Sequence, residues 1–215
     1  MKPNRTAWPP PADLPVGVIL AGGQARRMGY VNKALVPFRG KPLIAHVLAR
    51  TNQQVSGQLI NSNASAQAFS ILSTQDAWPI IKDPPDLPAY AGPLAGILAG
   101  MIVAKDAGFK NIASYPCDCP FLPRDLVARL MRARQAPQDI VLARSDGRTH
   151  PVVGLWPTRL ADDLRTYLRA PESSKKILAW VDRHSYHEVD FSTCRGDPFE
   201  NFNSPEDLAA KDHDD

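Results

Sequence analysis

The residues best suited to chemistry gather early in the chain. An apolar run, Val16-Gly17-Val18-Ile19-Leu20-Ala21, closes in Gly22-Gly23, and Arg26, Arg27 and Lys33 follow within about a dozen residues. An apolar run ended by glycine reads as a buried strand. Glycines without a Cβ let the chain turn and let another molecule approach the backbone. Exposed backbone N–H groups beside three cations suit a polyphosphate, so this loop reads as the holder of a nucleoside triphosphate. The string lacks both G-x-x-x-x-G-K-[ST] and G-x-G-x-x-G, which excludes a P-loop ATPase and an ordinary dinucleotide-binding domain.

A second centre lies midway along the chain. Asn111-Ile112-Ala113-Ser114-Tyr115 reads as a central strand running into Pro116-Cys117-Asp118-Cys119-Pro120. Asp118, pinned between two prolines, is the best metal ligand in the sequence. Phosphate-transfer sites commonly hold Mg²⁺ through one or two carboxylates plus phosphate oxygens. Cys117 and Cys119 read as packing residues, because this chemistry needs no thiolate. Other polar positions sit at strand ends. Asn61-Ser62-Asn63 suits either a turn or hydrogen bonds to a base or ribose. Asp83 precedes Pro84-Pro85, as a turn former does, at the carboxyl end of a strand where open α/β sheets bind ligands. His150 either contacts a substrate or fixes the turn that begins at Asp146-Gly147. Gly92 opens a helix and leaves N–H groups for an anion or a base edge, or merely allows close packing.

The pattern LAGG-x-x-x-RMG-x-x-x-K, followed by G-K-P-L-I-x-H-V, resembles nucleotidyltransferases that activate a phosphorylated metabolite. Within that superfamily the chain is most similar to the bacterial molybdenum cofactor guanylyltransferases (MobA type). The match rests on Leu20-Ala21-Gly22-Gly23, Arg27-Met28-Gly29, Lys33, and Gly40-Lys41-Pro42-Leu43 with His46. Two positions depart from the pattern: Asn32 stands where the family usually has Asp, and Tyr30 where many members have Gly. The resemblance spans residues 16 to 210. It implies transfer of GMP from GTP to the phosphate of molybdopterin, with release of pyrophosphate. It also implies GTP contacts at Leu20, Ala21, Gly22, Gly23, Lys33, Asn61, Asp83 and Asp118. Arg27, Lys33 and Asp118 would be the catalytic set, with Mg²⁺ as cofactor on Asp118. His150, Asn201 and Asn203 would serve the pterin, and molybdoenzymes or their chaperones would receive the product. A cytidylyltransferase acting on the same pterin and a sugar-phosphate nucleotidyltransferase would use the same loop. A nucleotide- or pterin-binding carrier is the non-enzymatic alternative.

These residues need a frame. Strands and helices alternate along the chain, which predicts an α/β, Rossmann-like three-layer sandwich with a mainly parallel sheet and helices on both faces, of the nucleotide-diphospho-sugar transferase type. Residues 1–15 carry five prolines and read as a flexible lead-in. Residues 16–210 form one domain, with 16–145 holding the nucleotide and 146–210 the acceptor; 211–215 is an acidic tail. Helices are expected from Pro42, with Leu43, Ile44, Val47 and Leu48 inward, from Pro93, from Pro123, near 158–169 and near 173–181. Arg129, Arg132 and Arg134 read as a solvated face, and Lys175-Lys176 as an exposed pair able to reach a phosphate. Strands are expected at 58–60, 78–82, 111–115, 139–143, after 147 and at 186–191. Ser204 and Pro205 read as the cap and first residue of a last helix.

Composition narrows the classes further. The chain has 215 residues, 44% of them hydrophobic, which is enough for one full core. A net charge of +3 without a basic run or interleaved aromatics argues against nucleic acid as a partner. Three cysteines cannot all pair and fit a reducing, cytoplasmic compartment. The N-terminus lacks the apolar stretch of a signal peptide. The longest apolar run, 89–104, is broken by Pro93 and three glycines and is too short to span a membrane. A soluble monomer or weak oligomer is expected.

Overall fold

The computed structural model describes residues 14–22, 32–72, 78–88, 91–194 and 196–202. The expected lead-in, the last helix at Ser204 and the acidic tail lie outside these residues. The first strand, β1 (Val16–Leu20), is apolar on both sides because both its faces are covered. Ile19 joins the core on one face, whereas Val16 and Val18 join the core on the other. A two-residue hairpin follows, β2 (Pro37–Phe38) with β3 (Lys41–Pro42), and then α1 (Leu43–Thr51). Next come β4 (Gly57–Asn61), β5 (Ile80–Ile81), α2 (Pro93–Asp106), β6 (Asn111–Pro116) and α3 (Leu126–Ala133). The chain continues through β7 (Ile140–Ser145), β8 (Arg148–Pro157), α4 (Ala161–Arg169), α5 (Ile177–Val181) and β9 (Tyr186–Asp190).

Seven strands form one sheet in the order β5-β4-β1-β6-β8-β7-β9. Only β8 runs against its neighbours, so the sheet is mainly parallel, as the alternation predicts. After β1 the chain builds β4 and β5 on one side, then crosses back to lay β6 on the other. Right-handed crossovers of this kind put the connecting helices on opposite faces. The two cores agree. Ile44, Val47 and Leu48 of α1 pack with Leu126 and Leu130 of α3. Leu94, Ile97 and Met101 of α2 pack with Leu164 and Leu168 of α4 and Trp180 of α5.

The reversal of direction beside β1 opens a crevice at the carboxyl ends of the strands. Register brings those ends level: Leu20 is paired with Asn61 on one side and Pro116 on the other. Past the strand ends, the Ala21 N–H donates to the Asn61 carbonyl (2.8 Å) and the Cys117 N–H to the Leu20 carbonyl (3.2 Å). The start of the glycine loop and the segment carrying Asp118 are thus bonded to adjacent strand ends.

Several elements differ from expectation. The strand expected over 78–82 is only Ile80–Ile81, because the following Asp83-Pro84-Pro85 cannot continue a ladder. The helix expected over 173–181 is only Ile177–Val181. Lys175 has φ 57°, and its ammonium donates to the carbonyls of Leu168 (2.6 Å) and Ala170 (2.8 Å). It closes the C-terminus of α4, so it is not free to reach a phosphate. Arg129 is not merely solvated: its guanidinium lies 3.9 Å from the centre of the Phe191 ring and donates to the Asp190 carbonyl. Helix α2 buries residues all round rather than along one stripe, because it lies between the sheet and α4. No helix among the described residues is long and apolar enough to cross a membrane.

Candidate active site

A cavity of about 730 Å³ opens at the carboxyl ends of β5, β4, β1 and β6. Leu20, Gly22, Lys33, Asn61, Asp83 and Asp118 all line it. Residues separated by nearly a hundred positions in sequence therefore face one space. Its volume lies in the range that takes a small molecule or nucleotide.

Lys33 is the first residue of a short 3-10 helix, Lys33–Leu35. Asn32 caps it, its side-chain oxygen accepting from the Ala34 N–H at 3.1 Å. Asn and Asp are about equally good in that role, so the departure at Asn32 leaves the geometry around Lys33 intact. The Lys33 ammonium forms an ion pair with the Asp118 carboxylate, and the two side chains are only 15% and 12% exposed. Asp118 is held by its flanks. The Phe202 N–H donates to the Asp118 carbonyl (3.3 Å), and the Cys119 thiol donates to the Phe199 carbonyl (3.3 Å) and to Asn201 Oδ1 (2.8 Å). Burial, reinforced by the charge of Asp118, pushes the Cys117 thiol up to about 12 and the Cys119 thiol well above its ordinary value. Both stay protonated, and the Cys119 thiol serves as a hydrogen-bond donor.

On the other wall, Asp83 sits between two asparagines. Asn61 Nδ2 donates to Asp83 Oδ1 at 2.9 Å, and Asn63 Nδ2 donates to Asp83 Oδ2 at 2.8 Å. Asn63 Oδ1 in turn accepts the Asp83 N–H at 3.1 Å. Helix α2 presses on this corner through Gly96, where a Cβ would run into Asn61 Oδ1 and Leu20.

The family pattern for the MobA-like NTP transferase domain matches residues 17–189, most of the chain. The chain belongs to this family. A molybdenum cofactor guanylyltransferase of Bradyrhizobium sp. (strain ORS 278) is 42% identical over 90% of this chain and 89% of its own length. One from Burkholderia lata is 43% identical over 90% and 93%. Among solved structures, the molybdopterin-guanine dinucleotide biosynthesis protein A of Archaeoglobus fulgidus superposes with a TM-score of 0.70. It is 24% identical and covers 92% of this chain and 96% of its own. That likeness supports the fold read from the strand order. The protein is thus a nucleotidyltransferase of the MobA-like family, and the cavity is its candidate active site.

Of the expected acceptor residues in this transferase, His150 and Asn201 are not among those that line the cavity. His150 is buried where β7 and β8 pair, its Nε2 hydrogen-bonded to Ser145 Oγ (2.6 Å) and its ring 4.6 Å from that of Phe199. Ser145 Oγ also donates to Asp197 Oδ1 at 2.7 Å. Asn201 is exposed, with its side-chain oxygen on the Cys119 thiol. Gly23, Arg27 and Asn203 lie outside the described residues.

The donor set fits a magnesium ion. No cluster of three His, Cys, Asp or Glu side chains able to hold a metal occurs among the described residues. Two carboxylates line the cavity; Asp83 is engaged by two asparagines, so a metal ion would be held by the single carboxylate of Asp118, beside a cation that it already attracts. Mg²⁺ is typically held that way, with phosphate and water oxygens completing its shell. In the sequence Asn63 stands out only as half of an amide pair. Its i, i+2 spacing from Asn61 was the available signal, since alternate residues of an extended segment share a side. Ser145 and Asp197 carried no such signal.

Proposed function

We propose that this protein transfers GMP from GTP to the terminal phosphate of molybdopterin, forming molybdopterin guanine dinucleotide and releasing pyrophosphate. The observation that carries the reading is the convergence of Lys33, Asp118, Asn61 and Asp83 on one cavity at the strand ends. The names of the curated relatives support the choice of guanine and of the pterin. Residues 16–145 would hold the nucleotide and 146–210 the acceptor, within one domain.

The acceptor phosphate is already a nucleophile near neutral pH, so no strong general base is needed. One of its oxygens bonds to the α-phosphorus of GTP as the bond to the β-bridging oxygen breaks, and pyrophosphate carries off the electron pair. Catalysis then rests on aligning two anions and neutralising their charge. The Ala21 N–H is taken by the Asn61 carbonyl, so the backbone N–H groups of Gly22 and Gly23 and the Lys33 ammonium, with Arg27, hold the β and γ phosphates. Lys33 exchanges its partner in Asp118 for the triphosphate as the nucleotide enters, which leaves the Asp118 carboxylate for a metal ion. Mg²⁺ bound there would supply positive charge at the attacked phosphate. Asp83, with Asn61 beside it, reads the base. His150, Asn201 and Asn203 belong to the acceptor side. The reaction takes place in the cytoplasm, and molybdoenzymes or their chaperones take the product.

The test is pyrophosphate release in magnesium, with molybdopterin as acceptor and GTP, CTP, UTP or ATP in turn. Release with GTP far above the other three is expected. Preference for CTP, or no release with any nucleotide, overturns the reading.

A further inference from the structure

We propose that Asn63 is a specificity-determining positioning residue, whose side chain fixes the Asp83 carboxylate as a pure two-oxygen acceptor and so restricts the base to one that presents two adjacent donors. The inference rests on the reading that Asp83 faces the base.

The hydrogen bonds leave no freedom in how the amides are turned. Asn61 Nδ2 lies within reach of two acceptors, Asp83 Oδ1 (2.9 Å) and the Ile81 carbonyl (3.4 Å), so that end must carry the hydrogens. Asn63 Oδ1 takes the Asp83 N–H, so its other end, facing Asp83 Oδ2, must be the NH₂. Both oxygens of Asp83 therefore receive a donor from the protein. A carboxylate offers about four acceptor positions, and here one on each oxygen remains. Asp83 lines the cavity, so a ligand there with two adjacent donors can meet one remaining position on each oxygen.

Among the common bases only guanine places two donors, N1–H and the 2-amino group, next to each other on its pairing edge. Adenine and cytosine put an acceptor beside the donor, and uracil flanks its N–H with carbonyls. Each would set a lone pair against Asp83, and an acceptor facing an acceptor is penalised. The two asparagines divide the work. Asn61 is buried and packed under α2, whereas Asn63 is exposed and touches both the side chain and the backbone of Asp83. The carboxylate torsion of Asp is soft. With Asn61 alone, Asp83 is held at one oxygen and can swing about it. With Asn63 added, the plane of the carboxylate is set.

The test is calorimetric binding of magnesium GTP and magnesium inosine triphosphate, whose base lacks the 2-amino group, to the whole protein without acceptor. A charge-assisted hydrogen bond to the 2-amino group predicts a preference for GTP of roughly 10- to 100-fold in the wild type. Asn63→Ala should bring that ratio below about threefold by weakening GTP more than inosine triphosphate, while the melting temperature stays near wild type, since the lost bonds are solvent-exposed. Asp83→Asn should abolish the preference altogether. A wild-type ratio in Asn63→Ala, with the ratio lost in Asp83→Asn, overturns the role of Asn63 alone. A ratio near one in the wild type, or one that survives Asp83→Asn, removes the base-reading role of Asp83, and this inference with it.

Discussion

At the β5-β4-β1-β6 end of the sheet, Lys33, Asn61, Asp83 and Asp118 line one cavity. At the β8-β7-β9 end, Ser145 hydrogen-bonds to both His150 and Asp197, and the His150 ring lies against Phe199. Both groups are polar and both lie near strand ends, but the second does not line this cavity. The connections that leave the strands account for the difference. Four parallel strands send four carboxyl ends, each followed by a loop, to the same edge of the sheet, and the chain reversal beside β1 parts the loops. Strand β8 is joined to β7 by a two-residue turn, Asp146 (φ 47°) and Gly147 (φ 76°), the tight hairpin geometry that both positive φ values require. A hairpin folds its polar residues onto its own pair, and Asp197 and Phe199 meet them there through a hydrogen bond to Ser145 and a ring contact with His150.

The contrast is broken most directly at Asp118. Asp118→Ala should lower turnover by roughly 10²- to 10³-fold, the scale for losing a group that organises charge in the transition state. GTP affinity should fall much less. Single-turnover pyrophosphate release alongside calorimetric GTP binding separates the two. A variant with wild-type turnover in magnesium would place Asp118 among packing residues, and the two ends of the sheet would then look alike.

The nucleotide end was the more legible of the two in sequence, for the same topological reason. A buried strand ended by glycines, and a carboxylate pinned between prolines after a second buried strand, name two strand ends in a parallel sheet, and parallel strand ends meet. Asp83 was legible as a strand end, although β5 proved to be only two residues long. The asparagine clamp was not legible, because it depends on where the loops after β4 and β5 cross, and side-chain pairing between loops leaves no periodic trace. At the other end, His150 was visible as a polar residue before an apolar strand, but its partner Asp197 lies 47 positions away in an irregular segment. Nothing in local pattern links them. The roles of Lys175 and Arg129 were missed likewise, since capping and cation–π contacts depend on neighbours that spacing does not reveal.

A second way to sharpen the comparison acts on the corner where α2 meets the clamp. Gly96→Ala puts a Cβ into Asn61 Oδ1 and Leu20. Overpacking of this kind costs about 1–3 kcal/mol. Because Asn61 must move, the variant should lose stability and nucleotide affinity together, read as a lowered denaturant midpoint and a weakened GTP isotherm. Full GTP affinity in a destabilised Gly96→Ala would mean that Asn61 is not coupled to the nucleotide.

At the opposite end the same two measurements should come apart. Ser145→Ala strips one hydrogen bond each from His150 and Asp197. Asp197 keeps the Phe199 N–H, but the buried His150 nitrogen loses its hydrogen-bond partner, which costs about 1–3 kcal/mol and should appear in the denaturant midpoint, while GTP affinity stays at the wild-type value. Steady-state kinetics then settle the proposed acceptor role of this end. A KM for molybdopterin raised well beyond the change in kcat would put the cluster in contact with the pterin despite its burial.

The smallest effect expected is one of pH, and it follows from His150. Burial is the largest influence on this imidazole and lowers its pKa below the ordinary 6.5; the charge of Asp197 opposes the shift without reversing it. The folded protein therefore resists protonating His150, whereas the unfolded chain takes up the proton near its usual pKa. Stability rises with pH wherever the unfolded state binds more protons. The contribution of His150 is thus complete above about pH 6.5 and declines as pH falls through that value toward the depressed folded pKa. Melting temperatures of the wild type and of His150→Gln, followed between about pH 5 and pH 8, isolate it. The wild type should lose more stability on acidification than the variant does. Parallel curves would mean that His150 exchanges its proton as freely as it does in water. That behaviour would fit an open acceptor site better than the closed cluster seen here.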